Sequence, residues 1–155
     1  MKRNLQNTTL GILFSAVLVA TLAPSAHADT CSTATVAGQW GFTLTGTLIL
    51  STGPVPVAAA GQANADADGN IRAIEARSVG GSYGNETGVG KWDVRSDCTG
   101  MLTIRFYQSG KLVRTSVLAV VFDDSQTQLR MVQKSLTLPD GPKVPVVITA
   151  DGKKQ

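Results

Sequence analysis

Four side chains have the character to do chemistry from inside a fold. Glu75, Arg77, Arg114 and Gln133 each sit within an alternating, largely apolar stretch. In such stretches successive side chains point to opposite faces, so some of these groups have the phase to point inward. Turned into a small barrel, a carboxylate, a guanidinium and a carboxamide could orient a bound molecule or line an active site. Turned outward, they are ordinary solvated strand residues, and both readings stand. Glu75, Arg114 and Gln133 are therefore the ligand-binding candidates. No two carboxylates have a spacing that selects them for acid–base work, and Asp123-Asp124 reads as a turn, so no catalytic residue is assigned.

A second constellation has metal-ligand spacing. Asn64, Asp66, Asp68, Asn70 and Glu75 follow the order of a helix–loop–helix calcium loop, with Gly69 at its sharp turn and Ile71 two residues later. Asn64 removes a charge where that motif has Asp. Pro and Gly precede the segment and a β-like run follows it, where the motif has helices. A hairpin turn of the Asp-Gly type accounts equally for Asp66–Asn70 and leaves Glu75 as a strand residue. No metal and no cofactor is assigned.

The compartment narrows the chemistry further. Met1-Lys2-Arg3, the apolar run 10–22 and Ala26-His27-Ala28 have the order of an export signal. The run is shorter than the ~20 residues a membrane span needs. Cleavage after Ala28 is expected, leaving residues 29–155 as one domain, exported to the periplasm or secreted, with no membrane span. Removing residues 1–28 removes Lys2 and Arg3, so 12 basic residues face 11 acidic ones. That balance gives no basic stripe for nucleic acid. It also removes His27, the only histidine, and with it any Ser-His-Asp or Cys-His mechanism and the usual zinc and copper ligand sets. Cys31 and Cys98 are the only thiols, and in an oxidising compartment an even pair reads as one disulfide.

Eight strands are expected to hold these residues, over 38–50, 55–63, 71–79, 86–95, 101–107, 112–122, 127–136 and 144–150. Period-2 alternation supports them: Trp40, Phe42, Leu44 and Leu48 share one face, as do Trp92 and Val94, and Leu102, Ile104 and Phe106. Trp40 and Trp92 take the inward phase and read as core. The linkers are short and turn-like, including Ser51-Thr52-Gly53-Pro54 and Pro139-Asp140-Gly141-Pro142. Gly80-Gly81-Ser82-Tyr83-Gly84-Asn85 has no following helix, so it is not a phosphate cradle. It is read as a mobile loop at a barrel mouth. No segment has helical periodicity. The fold class is all-β, a single eight-stranded antiparallel up-and-down barrel, with a β-sandwich as the alternative.

The segments Ala59–Ile71 and Gly90–Ile104 carry a resemblance. Small residues leading to Asp66-Ala67-Asp68-Gly69-Asn70, a glycine segment, then Gly90-Lys91-Trp92-Asp93-Val94 and Asp97-Cys98-Thr99-Gly100 resemble a group of small exported bacterial proteins of undetermined function. That group is similar in architecture to the barrels of the allene oxide cyclase and dirigent type. The resemblance implies an interior that binds apolar small molecules, but no catalytic residue of those families maps onto this chain. The expectation is an exported, more plausibly non-enzymatic barrel that binds a small apolar ligand or serves as an envelope accessory protein. A cyclase- or isomerase-like enzyme, or a calcium-binding or self-associating surface module, are the alternatives.

Overall fold

The computed structural model describes residues 30–155; the expected signal segment 1–28 and its cleavage point lie outside the described residues. Nine strands form in order: β1 (Gly38–Leu50), β2 (Gly53–Ala65), β3 (Asn70–Val79), β4 (Ser82–Val94), β5 (Thr99–Gln108), β6 (Lys111–Phe122), β7 (Gln128–Thr137), β8 (Lys143–Val144) and β9 (Val146–Lys154). Every pairing is antiparallel, running β1 to β7 as a meander, and β9 closes the sheet between β7 and β1. The result is a closed eight-stranded barrel with the short β8 as an extra pairing on β7. Pro145, which has no N–H to donate, separates β8 from β9, while its carbonyl accepts from Ile49 N at 2.8 Å.

Inward positions follow the apolar phase of the sequence, and they form two packed clusters. One contains Trp40, Trp92, Phe122, Ile104 and Leu118. The other contains Leu44, Val57, Ala59, Ile148 and Ala150, and the half-buried Met131 packs against both. Each large apolar side chain so buried contributes about 1.5–3 kcal/mol. Gly46 marks a close approach, since a Cβ there would stand 2.2 Å from Val147 O on β9.

Two segments differ from the sequence expectation. The glycine-rich stretch is not a loop: only Gly80 and Gly81 turn, and strand β4 already begins at Ser82. Both glycines have positive φ (55° and 90°), the conformation of a two-residue hairpin whose twist matches its strands. The C-terminal end, expected to stop near Asp151, stays in the sheet to Lys154 because it pairs with Gly41 and Trp40 of β1.

One end of the barrel is stoppered. Cys31–Cys98 is a disulfide with a Cα–Cα distance of 5.0 Å, and it pins the segment before β1 to the β4–β5 turn. The strap is held further by Trp40 Nε1 donating to Val36 O (3.1 Å), Val94 N to Thr33 Oγ1 (3.2 Å) and Lys154 Nζ to Thr35 O (3.2 Å). Beneath it Trp40, Trp92 and Phe122 pack edge to face, with ring centroids 5.4–6.1 Å apart.

Candidate functional site

The barrel interior is not filled by its side chains. A cavity with about 60 Å³ of room for the centres of water-sized molecules lies between the aromatic floor and the polar side chains of β3, β6 and β7. Its apolar wall includes Trp40, Trp92, Ile104, Leu118 and Met131, and its polar wall is Glu75, Arg114, Ser116 and Gln133. Small residues at inward positions, such as Ala63, Ala73 and Ala150, leave the room.

All three ligand-binding candidates of the sequence reading, with Arg77, are buried inside the barrel. The inward alternative therefore describes their placement. Glu75 Oε1 accepts from Arg114 Nη2 at 2.7 Å, with side-chain exposures of 1% and 6%. Arg114 Nη1 donates to Glu86 Oε2, and its guanidinium lies 3.7 Å over the Phe106 ring. Arg77, one inward step beyond Glu75 on β3, stands 4.0 Å from Glu75 Oε1, an ion-pair contact rather than a hydrogen bond.

Glu86 is the member that sequence reasoning missed. It is the direct cross-strand partner of Glu75, and two inward carboxylates side by side repel. Arg114 resolves that repulsion by reaching across the interior from β6, a strand paired with neither β3 nor β4. The signal was present in the phase: Glu86 shares the inward parity of Trp92 and Val94 on the same strand.

Two register irregularities aim the polar residues. Along β5–β6 the pairing shifts between Phe106 and Tyr107, which leaves Val113 as an extra residue beside Arg114. Along β6–β7 it shifts between Val117 and Leu118, leaving Lys134 as an extra residue beside Gln133. Bulges of this kind re-aim a side chain locally. With the second one, Gln133 Nε2 reaches both Ser116 Oγ (3.0 Å) and Ser135 O (3.1 Å).

Burial dominates the electrostatics of this belt. It pushes the Arg114 guanidinium down to about 10, and the nearby Arg77 cation adds to the fall against the pull of Glu75. Arg77 is lowered by burial too, again opposed by Glu75. Glu75 Oε2, Trp92 Nε1 and Arg114 Nε are buried without a hydrogen-bond partner among the described residues.

The calcium-loop residues are not brought together. Asp66 Oδ1 accepts from the backbone N of Asp68 (3.0 Å) and Asn70 (2.8 Å), and its Oδ2 accepts from Asn70 Nδ2 (2.9 Å), closing the β2–β3 turn on itself. Asn64 lies within β2, exposed, and Glu75 lies inside the barrel on Arg114. Asp123, read as a turn residue, receives the backbone N of Thr127 and Gln128 on Oδ1 and the Ser125 hydroxyl on Oδ2.

Comparison with solved structures returns other barrels. The chain is similar to EF1p2_mFAP2b bound to DFHBI, with a TM-score of 0.55 and 15% identity over 77% of this chain and 94% of that one. Two redesigned β-barrels bound to DFHBI also match: mFAP1 (TM-score 0.49, 19% identity, 79% and 98% covered) and mFAP0 (0.48, 20%, 77% and 98%). No protein-family model and no curated protein matches the chain. At these identities the likeness is one of fold.

Proposed function

We propose that this chain is an exported binding protein that holds one small, mainly apolar molecule inside its barrel. The carrying observation is the unfilled interior beside a buried polar belt: apolar walls supply affinity, and the few polar groups fix orientation. Eight strands is the size at which a barrel is either packed solid or takes one small ligand. A barrel of this fold, EF1p2_mFAP2b, is bound to DFHBI, which supports a small-molecule role. The disulfide supports export to an oxidising compartment, as does the charged and apolar start of the chain. The present cavity suits about four to six water-sized groups. A larger guest requires Met131 and Phe42, both only half-buried, to swing aside.

A second reading places chemistry in the same cavity. Glu75 Oε2, a buried carboxylate oxygen without a hydrogen-bond partner among the described residues, would serve a cyclase or isomerase working by positioning, in line with the allene oxide cyclase resemblance. Self-association by strand addition is less well supported, because closure leaves no unpaired edge among the eight barrel strands.

Native mass spectrometry of protein purified from its own host tests the binding reading. The expected result is a bound mass that solvent extraction releases as a small apolar compound. Protein that is uniformly empty, and that takes up no small aromatic on titration, overturns it.

A further inference from the structure

The charges inside the barrel cancel. Among the described residues the belt holds two guanidinium groups, Arg77 and Arg114, and two carboxylates, Glu75 and Glu86. Arg114 is engaged on both sides, by Glu75 and Glu86, and covered by Phe106. An anionic guest would add a negative charge that no group in the interior balances, and a cationic guest would do the converse. A lone charge in an apolar interior is penalised by more than one hydrogen bond returns.

The polar groups on the cavity wall match a neutral partner. Ser135 O can only accept, so the Gln133 atom 3.1 Å from it is the amide nitrogen, and that nitrogen also donates to Ser116 Oγ. Both amide hydrogens are then committed, and the group Gln133 can still offer is its Oε1 acceptor. Ser116, having accepted, keeps its own O–H to donate. Among the described residues Glu75 Oε2 is a further acceptor, and Trp92 Nε1 and Arg114 Nε are further donors, without a hydrogen-bond partner. A wall that offers both donors and acceptors is complementary to a hydroxyl, which gives one hydrogen bond and takes another.

We infer that the interior site selects a neutral apolar molecule carrying a hydroxyl, an alcohol or phenol, and rejects carboxylates of the same size, because the Glu75–Arg77–Glu86–Arg114 belt balances its own charge. This rests on the interior-binding reading above.

The test titrates the disulfide-intact protein with phenol, benzoate and benzylamine at neutral pH, followed by calorimetry or amide chemical shifts. Phenol is expected to bind at least roughly tenfold more tightly than benzoate or benzylamine. Glu86→Gln gives the belt a net positive charge and should raise benzoate affinity relative to phenol by about tenfold or more. Arg77→Gln gives it a net negative charge and should do the same for benzylamine, so either variant suffices if the other does not fold. Benzoate binding the unaltered protein as tightly as phenol overturns the inference, as does a selectivity that neither variant changes. If none of the three compounds saturates at about 10 mM, well below ordinary ligand affinity, the interior-binding reading itself fails and this inference falls with it.

Discussion

Arg114→Met puts the belt under a direct test. The substitution keeps most of the stem volume and removes the cation that stands between Glu75 and Glu86. Glu75 loses a 2.7 Å bond at a site where its side chain is 1% exposed, and Glu86 loses its bond as well. Among the described residues the only cation left near Glu75 is Arg77, 4.0 Å away. Breaking a buried ion pair from one side costs about 3–5 kcal/mol, because it leaves an uncompensated buried charge. Loss of the Phe106 stacking adds up to about 2 kcal/mol, partly returned by packing of the Met side chain. With a urea m-value of about 2 kcal/mol/M, a loss of 3–5 kcal/mol moves the unfolding midpoint down by roughly 1.5–2.5 M. The assay is equilibrium urea unfolding of the oxidised protein, followed by tryptophan fluorescence, with the m-value checked for constancy. The companion variant replaces the whole belt, Glu75→Leu, Arg77→Leu, Glu86→Leu and Arg114→Met. It should match the parent or exceed it by up to about 4 kcal/mol, since burying four charges is itself costly. Such a barrel would be as stable as the parent and would still exclude charged guests, now through desolvation in an apolar interior alone. A midpoint for Arg114→Met within about 0.3 M of the parent, equivalent to less than 1 kcal/mol, refutes the coupling argued here.

Two further outcomes follow from the closed end and from the turns. Cys31→Ser with Cys98→Ser should lower stability by about 4 kcal/mol in the chain-entropy treatment of a loop of this length, with a sequence separation of 67 residues. The same variant should shift the emission of Trp40, whose Nε1 donates to the strap at Val36 O; unchanged stability would mean that the strap adds nothing to the fold. Asp66, Asp97 and Asp123 all have carboxyls held below the usual 3.8, first by the side chains of Asn70, Thr99 and Ser125 respectively. A depressed folded-state value contributes stability above the unfolded value, which is lost as pH falls through the folded one. Thermal melts should therefore decline from about pH 4 downward, with a shallower decline for Asp123→Ala; an identical slope in that variant contradicts the assignment.

The eight-stranded, all-β architecture was legible because alternation is a local signal. Trp92 and Val94, or Leu102, Ile104 and Phe106, announce an inward face without reference to any other strand, and the linkers carry their own turn chemistry. The same phase placed Glu75 and Arg77 with the options of inside or outside, and it would have placed Glu86 had its parity with Trp92 been followed. The turn at Gly80-Gly81 was harder to see. Six loop-like residues in a row conceal a two-residue hairpin, because Ser82–Asn85 are strand only by virtue of pairing with β3.

What the sequence by itself determined was the alternation, the pairing of its only two cysteines and the absence of histidine after residue 28, and with the alternation the class of fold. What only the tertiary structure decided was the belt and the space beside it. Arg114 and Glu75 are 39 positions apart, on strands that do not pair, and they meet because a closed barrel brings opposite walls within reach of one guanidinium. The bulges beside Arg114 and Gln133 exist only as mismatches between two strands, so neither strand's own residues record them. A cavity, likewise, is what remains when all the inward side chains have been placed at once.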